Sequence, residues 1–243
     1  MPSPCTRPAP VIASMATFPG REAQCQQAVE SLLPQVTALS LYLNGYPPEQ
    51  PTPWVPCTGH LRVQYGAQRH GDLGDVGKVA ACDDALETAF GQVIRLLCDD
   101  DILYPPDYVA TLAEALHRYD DAAVVGVHAK RINGPVRSYY RDAQTFHCRQ
   151  GLSQDTRVHL LGTGTLAYHT GTLRLHHTQF PVPNMADIWF GLLAQRQRLP
   201  LVAIARAAAW VRVLDCDDTI WDRSHQHDAL QTALVNSLEW RLW

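Results

Sequence analysis

The sequence predicts a single α/β domain with a mostly parallel central sheet flanked by helices, and three observations carry that expectation. Short apolar runs alternate with helix-spaced segments through the first half, as right-handed crossovers in a parallel sheet require. One of the runs, VIRLLC from Val93 to Cys98, has the nearly continuous apolar character of a strand buried on both faces. It runs directly into Asp99, Asp100 and Asp101, at the carboxyl edge where such sheets bind ligands.

The elements follow in order. PVIASMAT reads as a first buried strand, Pro19-Gly20 as its punctuation, and Arg21 to Leu33 as a helix. LSLYLN from Leu39 to Asn44 is a second strand, and the proline-rich stretch from Tyr46 to Pro56 is a loop. HLRVQY from His60 to Tyr65 is a third strand. The glycine-rich GDLGDVGK from Gly71 to Lys78 leads into VAACDDALETAF, whose apolar residues recur at helical spacing. After the acidic triplet, Pro105 and Pro106 open a helix from about Asp107 to Tyr119, and AAVVGVHA from Ala122 to Ala129 is a strand. The second half is less regular. It offers a polar region through Gln154, the segment VHLLGTGTLAYH, a helix from Asp187 to about Gln197, a strand LVAIA from Leu201, and a terminal helix from Asp228 to Trp240.

Bulk properties exclude several classes. The 243 residues carry a net charge of −4, so there is no global basic field with which to hold nucleic acid. No segment reaches the ~18 consecutive apolar residues of a membrane span, and MPSPCTRPAP lacks the pattern of a secretory signal, so a soluble, cytoplasmic chain is expected. The 7 cysteines are scattered and form no C-x-x-C pair, so free thiols are expected and a zinc site built of cysteines is not.

Three consecutive carboxylates at the end of a buried strand repel one another unless solvent or a cation offsets them. Asp99 and Asp101 alternate along the chain and can face one ligand, with Asp100 turned elsewhere. Hard oxygen donors of this kind suit Mg²⁺ or Mn²⁺, held together with a substrate's phosphate oxygens. The plainer alternative is a strand end that caps the next helix.

The segment CDDDILYPPDYV resembles the D-x-D region of the GT-A, Rossmann-like glycosyltransferases related to family 2. VIASMATFPGRE, SLYLNGY, GDLGDVGK and ADIWFGLLAQ fall in the order that family shows, so the resemblance spans Val11 to about Arg206. It implies a nucleotide-sugar-binding half over about 9–130 and an acceptor-binding half over about 131–243. Ala13, Ser14, Thr17, Arg21 and Asn44 would then lie near the base and ribose of a UDP- or GDP-sugar. Gly74, Asp75, Lys78, Asp99 and Asp100 would contact the rest of the donor, with backbone amides around Gly74 to Gly77 approaching phosphate. The resemblance also implies Asp99 and Asp101 as ligands of Mn²⁺ or Mg²⁺, joined by His225.

On the acceptor side it implies Gly162, Thr163 and Gly164 beside the sugar, Trp189 lining the pocket for a glycan or glycoconjugate, and Asp187 as the catalytic base. A base is chemically required, because a sugar hydroxyl is a poor nucleophile. Asp187 is equally a good helix N-cap, GDLGDVGK equally a plain glycine loop with a solvated lysine, and Trp189 equally core. The implied reaction is a metal-dependent single displacement with inversion. A nucleotidyltransferase acting on a sugar phosphate is the alternative enzyme, but SMATFPGR offers one arginine where that class wants a glycine- and base-rich loop. A non-catalytic nucleotide- or glycan-binding protein is the other; a zinc hydrolase on His225 and His227 lacks further ligands.

Overall fold

The computed structural model describes residues 9–82, 89–216 and 228–243. Its centre is an eight-stranded sheet of β1 (Val11–Thr17), β2 (Ala38–Leu43), β3 (Leu61–Tyr65), β4 (Ile94–Cys98), β6 (Val124–Gly126), β9 (Thr156–Val158), β11 (Thr165–His169) and β12 (Leu201–Ala203). The spatial order is β3-β2-β1-β4-β11-β6-β12-β9. β3, β2, β1 and β4 pair in parallel, as do β6 and β12, whereas β11 runs antiparallel to both β4 and β6, and β9 antiparallel to β12. The expected mostly parallel sheet is therefore present, with β11 reversed near its middle. β4 is buried along its whole length, as its composition requires.

Helices cover the sheet by the periodicity the sequence shows. Glu22–Leu32 buries Cys25, Ala28, Val29 and Leu32, and Tyr108–Arg118 buries Tyr108, Val109, Leu112, Ala115 and Leu116. Both sets are one helical face. Their side chains join Leu39, Leu41, Leu96 and Val125 in the largest apolar cluster, where truncating a residue such as Leu112 to alanine would cost about 2–5 kcal/mol. A second cluster packs the Ala186–Gln197 helix on the sheet through Ala186, Phe190 and Ala194.

The second half departs most from expectation. AAVVGVHA is two strands, β6 and β7 (Ala129–Arg131), because the chain leaves the main sheet after Val127 and enters a small sheet ordered β10-β7-β8. In it β7 pairs β8 (Gln144–Phe146) and β10 (Leu160–Leu161). The supposedly irregular stretch thus holds a strand, and a short helix, Tyr139–Asp142, precedes it. VHLLGTGTLAYH contributes to β9, β10 and β11 in turn. β5 (Ile102–Leu103) and β13 (Arg212–Val213), distant in sequence, form a separate antiparallel pair. The terminal helix is Ala229–Val235, shorter than the pattern suggested. Of the segment VAACDDALETAF expected as a helix, the described residues are helical at its start, within Gly77–Ala80, and at 89–90; residues 83–88 lie outside the described residues. No helix among the described residues is long and apolar enough to cross a membrane.

The reversal of β11 positions the site. Thr165 pairs with Cys98, so the start of β11 sits at the end of β4, and the loop Gly162–Gly164 lies against the acidic triplet.

Candidate active site

A cavity of about 750 Å³ opens at this edge, and Asp99, Asp100, Asp101, Lys78, Gly164 and Asp187 all contribute to its wall. That volume is in the usual range for small-molecule sites, ~300–1,000 Å³.

The three aspartates differ in surroundings. Asp100 is buried and accepts a 2.6 Å hydrogen bond from Thr17 Oγ1 at the end of β1. Burial pushes its pKa up to about 7 against that bond, which lowers it. Asp101 Oδ2 lies 3.1 Å from Arg21 Nη1, and Asp99 Oδ1 is paired with Lys78 Nζ. Burial raises the Asp101 pKa, the charge on Asp99 adds to the rise, and Arg21 opposes it. Part of the mutual repulsion within the triplet is therefore answered by the chain's own cations. Each of those two pairings uses one oxygen of its carboxylate, and both carboxylates line the cavity. Two hard oxygen donors so placed fit Mn²⁺ or Mg²⁺. None of the three caps the next helix, which starts from Asp107.

Lys78 is buried rather than solvated. Burial alone would lower its pKa, but Asp99, Asp75 and Asp187 outweigh it, so the ammonium stays charged. The loop before it is held by the chain itself. Asn44 donates through Nδ2 to Gly74 O and accepts from Leu73 N, both at 2.9 Å. Gly74 N donates to Asp72, Asp75 N to Asn184, and Val76 N to Leu73 O. These amides are engaged within the chain, which does not match the phosphate cradle expected there. Gly74 has φ +54, and a Cβ on it would strike the Asn184 side chain.

Asp187 is the second residue of the Ala186–Gln197 helix and makes no cap. Its Oδ1 instead accepts from both Thr163 N at 2.7 Å and Thr163 Oγ1 at 2.8 Å. The helix start is supplied by Asp75, which accepts from Asn184 N at 2.6 Å and Ala186 N at 2.9 Å. Burial raises the Asp187 pKa against the Thr163 bonds. It raises that of Asp75 to about 6.

One loop ties the two halves of the site together. Thr163 holds Asp187, and the next residue, Gly164, abuts Asp99 so closely that a Cβ there would fall within the carboxylate. Tyr104 fixes this arrangement: its hydroxyl donates to Gly164 O at 2.8 Å and accepts from Asp99 N at 2.8 Å.

Several expected site residues lie elsewhere. Ala13 is in the apolar core, and Ser14 is buried beside Cys82 and Arg95, because both sit mid-strand rather than at the end of β1. Neither is on the cavity wall, whereas Ala16, Phe18 and Pro19 are. Trp189 packs among apolar side chains of the helix layer, off the cavity, and its buried Nε1 has no partner among the described residues. The acceptor-lining role expected for it is not matched. His225 and His227 lie outside the described residues. A second part of the wall, absent from the sequence-based expectations, is formed by His128, Lys130, Tyr139, His147, Cys148 and Arg149. Its only trace in the sequence is a scatter of polar residues around a short strand, without spacing.

Residues 70–176 match the family model described as Glycosyl transferase family 2. No curated protein matches the chain. The matched span contains Asp99–Asp101, Lys78 and the Gly162–Gly164 loop, and stops short of Asp187. Residues 70–176, which hold the acid-ended β4, are thus similar to glycosyltransferase family 2, and the mostly parallel sheet inside and around that span has the architecture of a GT-A, Rossmann-like fold.

Proposed function

We propose that the chain moves a sugar from a nucleotide-sugar donor to a hydroxyl of a glycan or glycoconjugate, in a metal-dependent single displacement with inversion, and does so in the cytoplasm. The observation that carries this reading is the Gly162–Gly164 loop, which holds Asp187 through Thr163 and meets Asp99 through Gly164 on one cavity wall.

Asp99 and Asp101 would hold Mn²⁺ or Mg²⁺, which when bound neutralises charge developing on the leaving nucleoside diphosphate. Lys78, kept charged by its acidic neighbours, adds fixed positive charge to the same wall. Phe18 and Pro19 offer apolar faces for a UDP or GDP base at the end of the cavity near Asn44. The donor side is about 9–130 and the acceptor side about 131–243.

Asp187 takes the acceptor proton. The Thr163 bonds both fall on Oδ1 and fix the carboxylate's direction, which directs Oδ2 to the hydroxyl. Its raised pKa makes it a stronger base than an exposed aspartate, and a positioned base contributes ~10²–10⁴-fold.

The test is a thermal-shift screen of UDP-, GDP-, CMP- and dTDP-sugars with and without Mn²⁺, repeated with Asp101→Asn. One nucleotide class should stabilise the protein more with Mn²⁺, and Asp101→Asn should lose that increment. Stabilisation equal with and without metal and unchanged in the variant would remove the reading. Retention of anomeric configuration in the product, read by NMR, would remove inversion alone.

A further inference from the structure

The part of the cavity wall that the acidic site does not use carries a set of nitrogen and sulfur donors. His128 follows β6, and His147 and Cys148 follow β8. The register that pairs Ala129 with Phe146 brings residues 128 and 147 together as neighbours just beyond the ladder. Their rings lie 5.3 Å apart at 88°, and Cys148 Sγ is 3.7 Å from His147 Nδ1. One ligand atom from each of the three residues lies within 4.8 Å of the others, and all three residues line the cavity.

The backbone around them is held from several sides. His128 N donates to Thr165 Oγ1 at 3.0 Å, and His128 O accepts from Gly162 N at 2.9 Å. His147 O accepts from Arg206 Nη2 at 3.1 Å. Thus the three donors are presented to the cavity by anchored segments rather than by free surface loops.

From this geometry we propose that His128, His147 and Cys148 bind a borderline or soft divalent ion of the Zn²⁺ type, distinct from the hard-ion position at Asp99 and Asp101. Two imidazoles and a thiolate are the donors such ions select, and three protein ligands leave a fourth tetrahedral position toward the cavity for water or a substrate atom. The mutual spacing needs only a small inward shift to suit bonds of about 2.0–2.3 Å.

The charged neighbours act in both directions. Burial, then His147, Lys130 and Arg206, hold His128 neutral, with its pKa down to about 3, and Asp99 opposes them weakly. Burial, Arg149, Arg206 and Lys130 likewise lower that of His147. Neutral imidazole is the form that binds metal. Burial raises the Cys148 thiol, and Arg149 and Arg206 pull it back. The same cations repel an incoming ion, so binding depends on the thiolate: Cys148 loses its proton to solvent as the sulfur–metal bond forms, and its negative charge offsets one of the ion's two positive charges.

The test uses the full chain, stripped with chelator and titrated with Co²⁺ as a spectroscopic stand-in for Zn²⁺. The expected result is one equivalent bound with a thiolate-to-cobalt charge-transfer band, about one proton released, and displacement by Zn²⁺. The band should vanish in Cys148→Ser, and affinity should fall at least about tenfold in His147→Gln, a partly exposed position that tests the site if Cys148→Ser folds poorly. Asp101→Asn should keep the band, which separates this site from the one proposed for the donor. Absence of the band, its survival in Cys148→Ser, or its loss in Asp101→Asn with retention in His147→Gln would overturn the assignment.

Discussion

Along the wall built from the ends of β1 and β4 and the Gly162–Gly164 loop, each carboxylate meets a partner from the chain: Asp99 meets Lys78, Asp100 meets Thr17, Asp101 meets Arg21, and Asp187 meets Thr163. Along the wall built from residues 128–149, Lys130 is buried between the rings of Tyr139 and Tyr140, with a 3.5 Å bond to Tyr139 O and no ion pair among the described residues. Burial accordingly lowers its pKa. The first wall is preorganised by strand ends and internal charge pairs. The second gathers imidazoles, a thiol and cations held by rings and backbone carbonyls, with no carboxylate paired to Lys130 among the described residues.

Changes at the first wall should separate chemistry from stability. Asp187→Asn should lower turnover by about 10²–10⁴-fold, since an amide cannot accept the proton. Its melting temperature should be equal to or above the parent's, because burial disfavours the ionised form of Asp187. Parallel rate and melting measurements check both, and a variant that melts well below the parent would make Asp187 a structural residue instead.

Gly164→Ala comes next. The new Cβ must displace the Asp99 carboxylate or the loop backbone, so about 1–3 kcal/mol of stability should be lost together with metal-dependent activity. A urea melt and a Mn²⁺ titration read the two effects. Full activity would mean that the contact between loop and acid is not part of the site.

Asp75 ties the walls through the start of the Ala186–Gln197 helix, and its effect is set by pH. Its folded pKa, about 6, lies above its ordinary 3.8, so its contribution to stability is fully present below ~3.8 and is lost as pH rises through 6. Asp75→Asn keeps an acceptor but cannot ionise, so it should gain about 1–3 kcal/mol on the parent between pH 4 and pH 8. Melts at the two pH values check the sign. A smaller effect is expected at Trp189→Phe, which removes a buried N–H that has no partner among the described residues and should leave activity unchanged and stability within about 1 kcal/mol.

What could be read in the sequence follows the same division. β4 and its acidic end were legible because a strand buried on both faces is written as a continuous run, and the helices Glu22–Leu32 and Tyr108–Arg118 because their apolar residues repeat on one face. Arg95 sits within that buried run unannounced, satisfied by Cys82 O and Ser14 rather than by exposure. β7, β8 and β10 were not legible, since strands of two or three residues are too short for alternation to register. The reversal of β11 was equally silent, because strand direction depends on which neighbour it pairs with. Asp187 could be picked out, but Thr163 as its holder and Asp75 as the cap of its helix depend on contacts across 24 and 111 residues. Ala13 and Ser14 were misplaced by a simple offset: only the residues at and beyond the end of β1 reach the cavity.

The most direct measurement is calorimetric titration of the stabilising nucleotide-sugar, in Mn²⁺, into the parent, Asp101→Asn and Asp187→Asn, with nucleoside diphosphate release followed on the same samples. Asp101→Asn should bind the donor at least about tenfold more weakly, while Asp187→Asn should bind it as the parent does and release little diphosphate. If both variants bind and turn over like the parent, or if Asp187→Asn loses donor affinity as Asp101→Asn does, then the two carboxylates do not divide binding from proton removal.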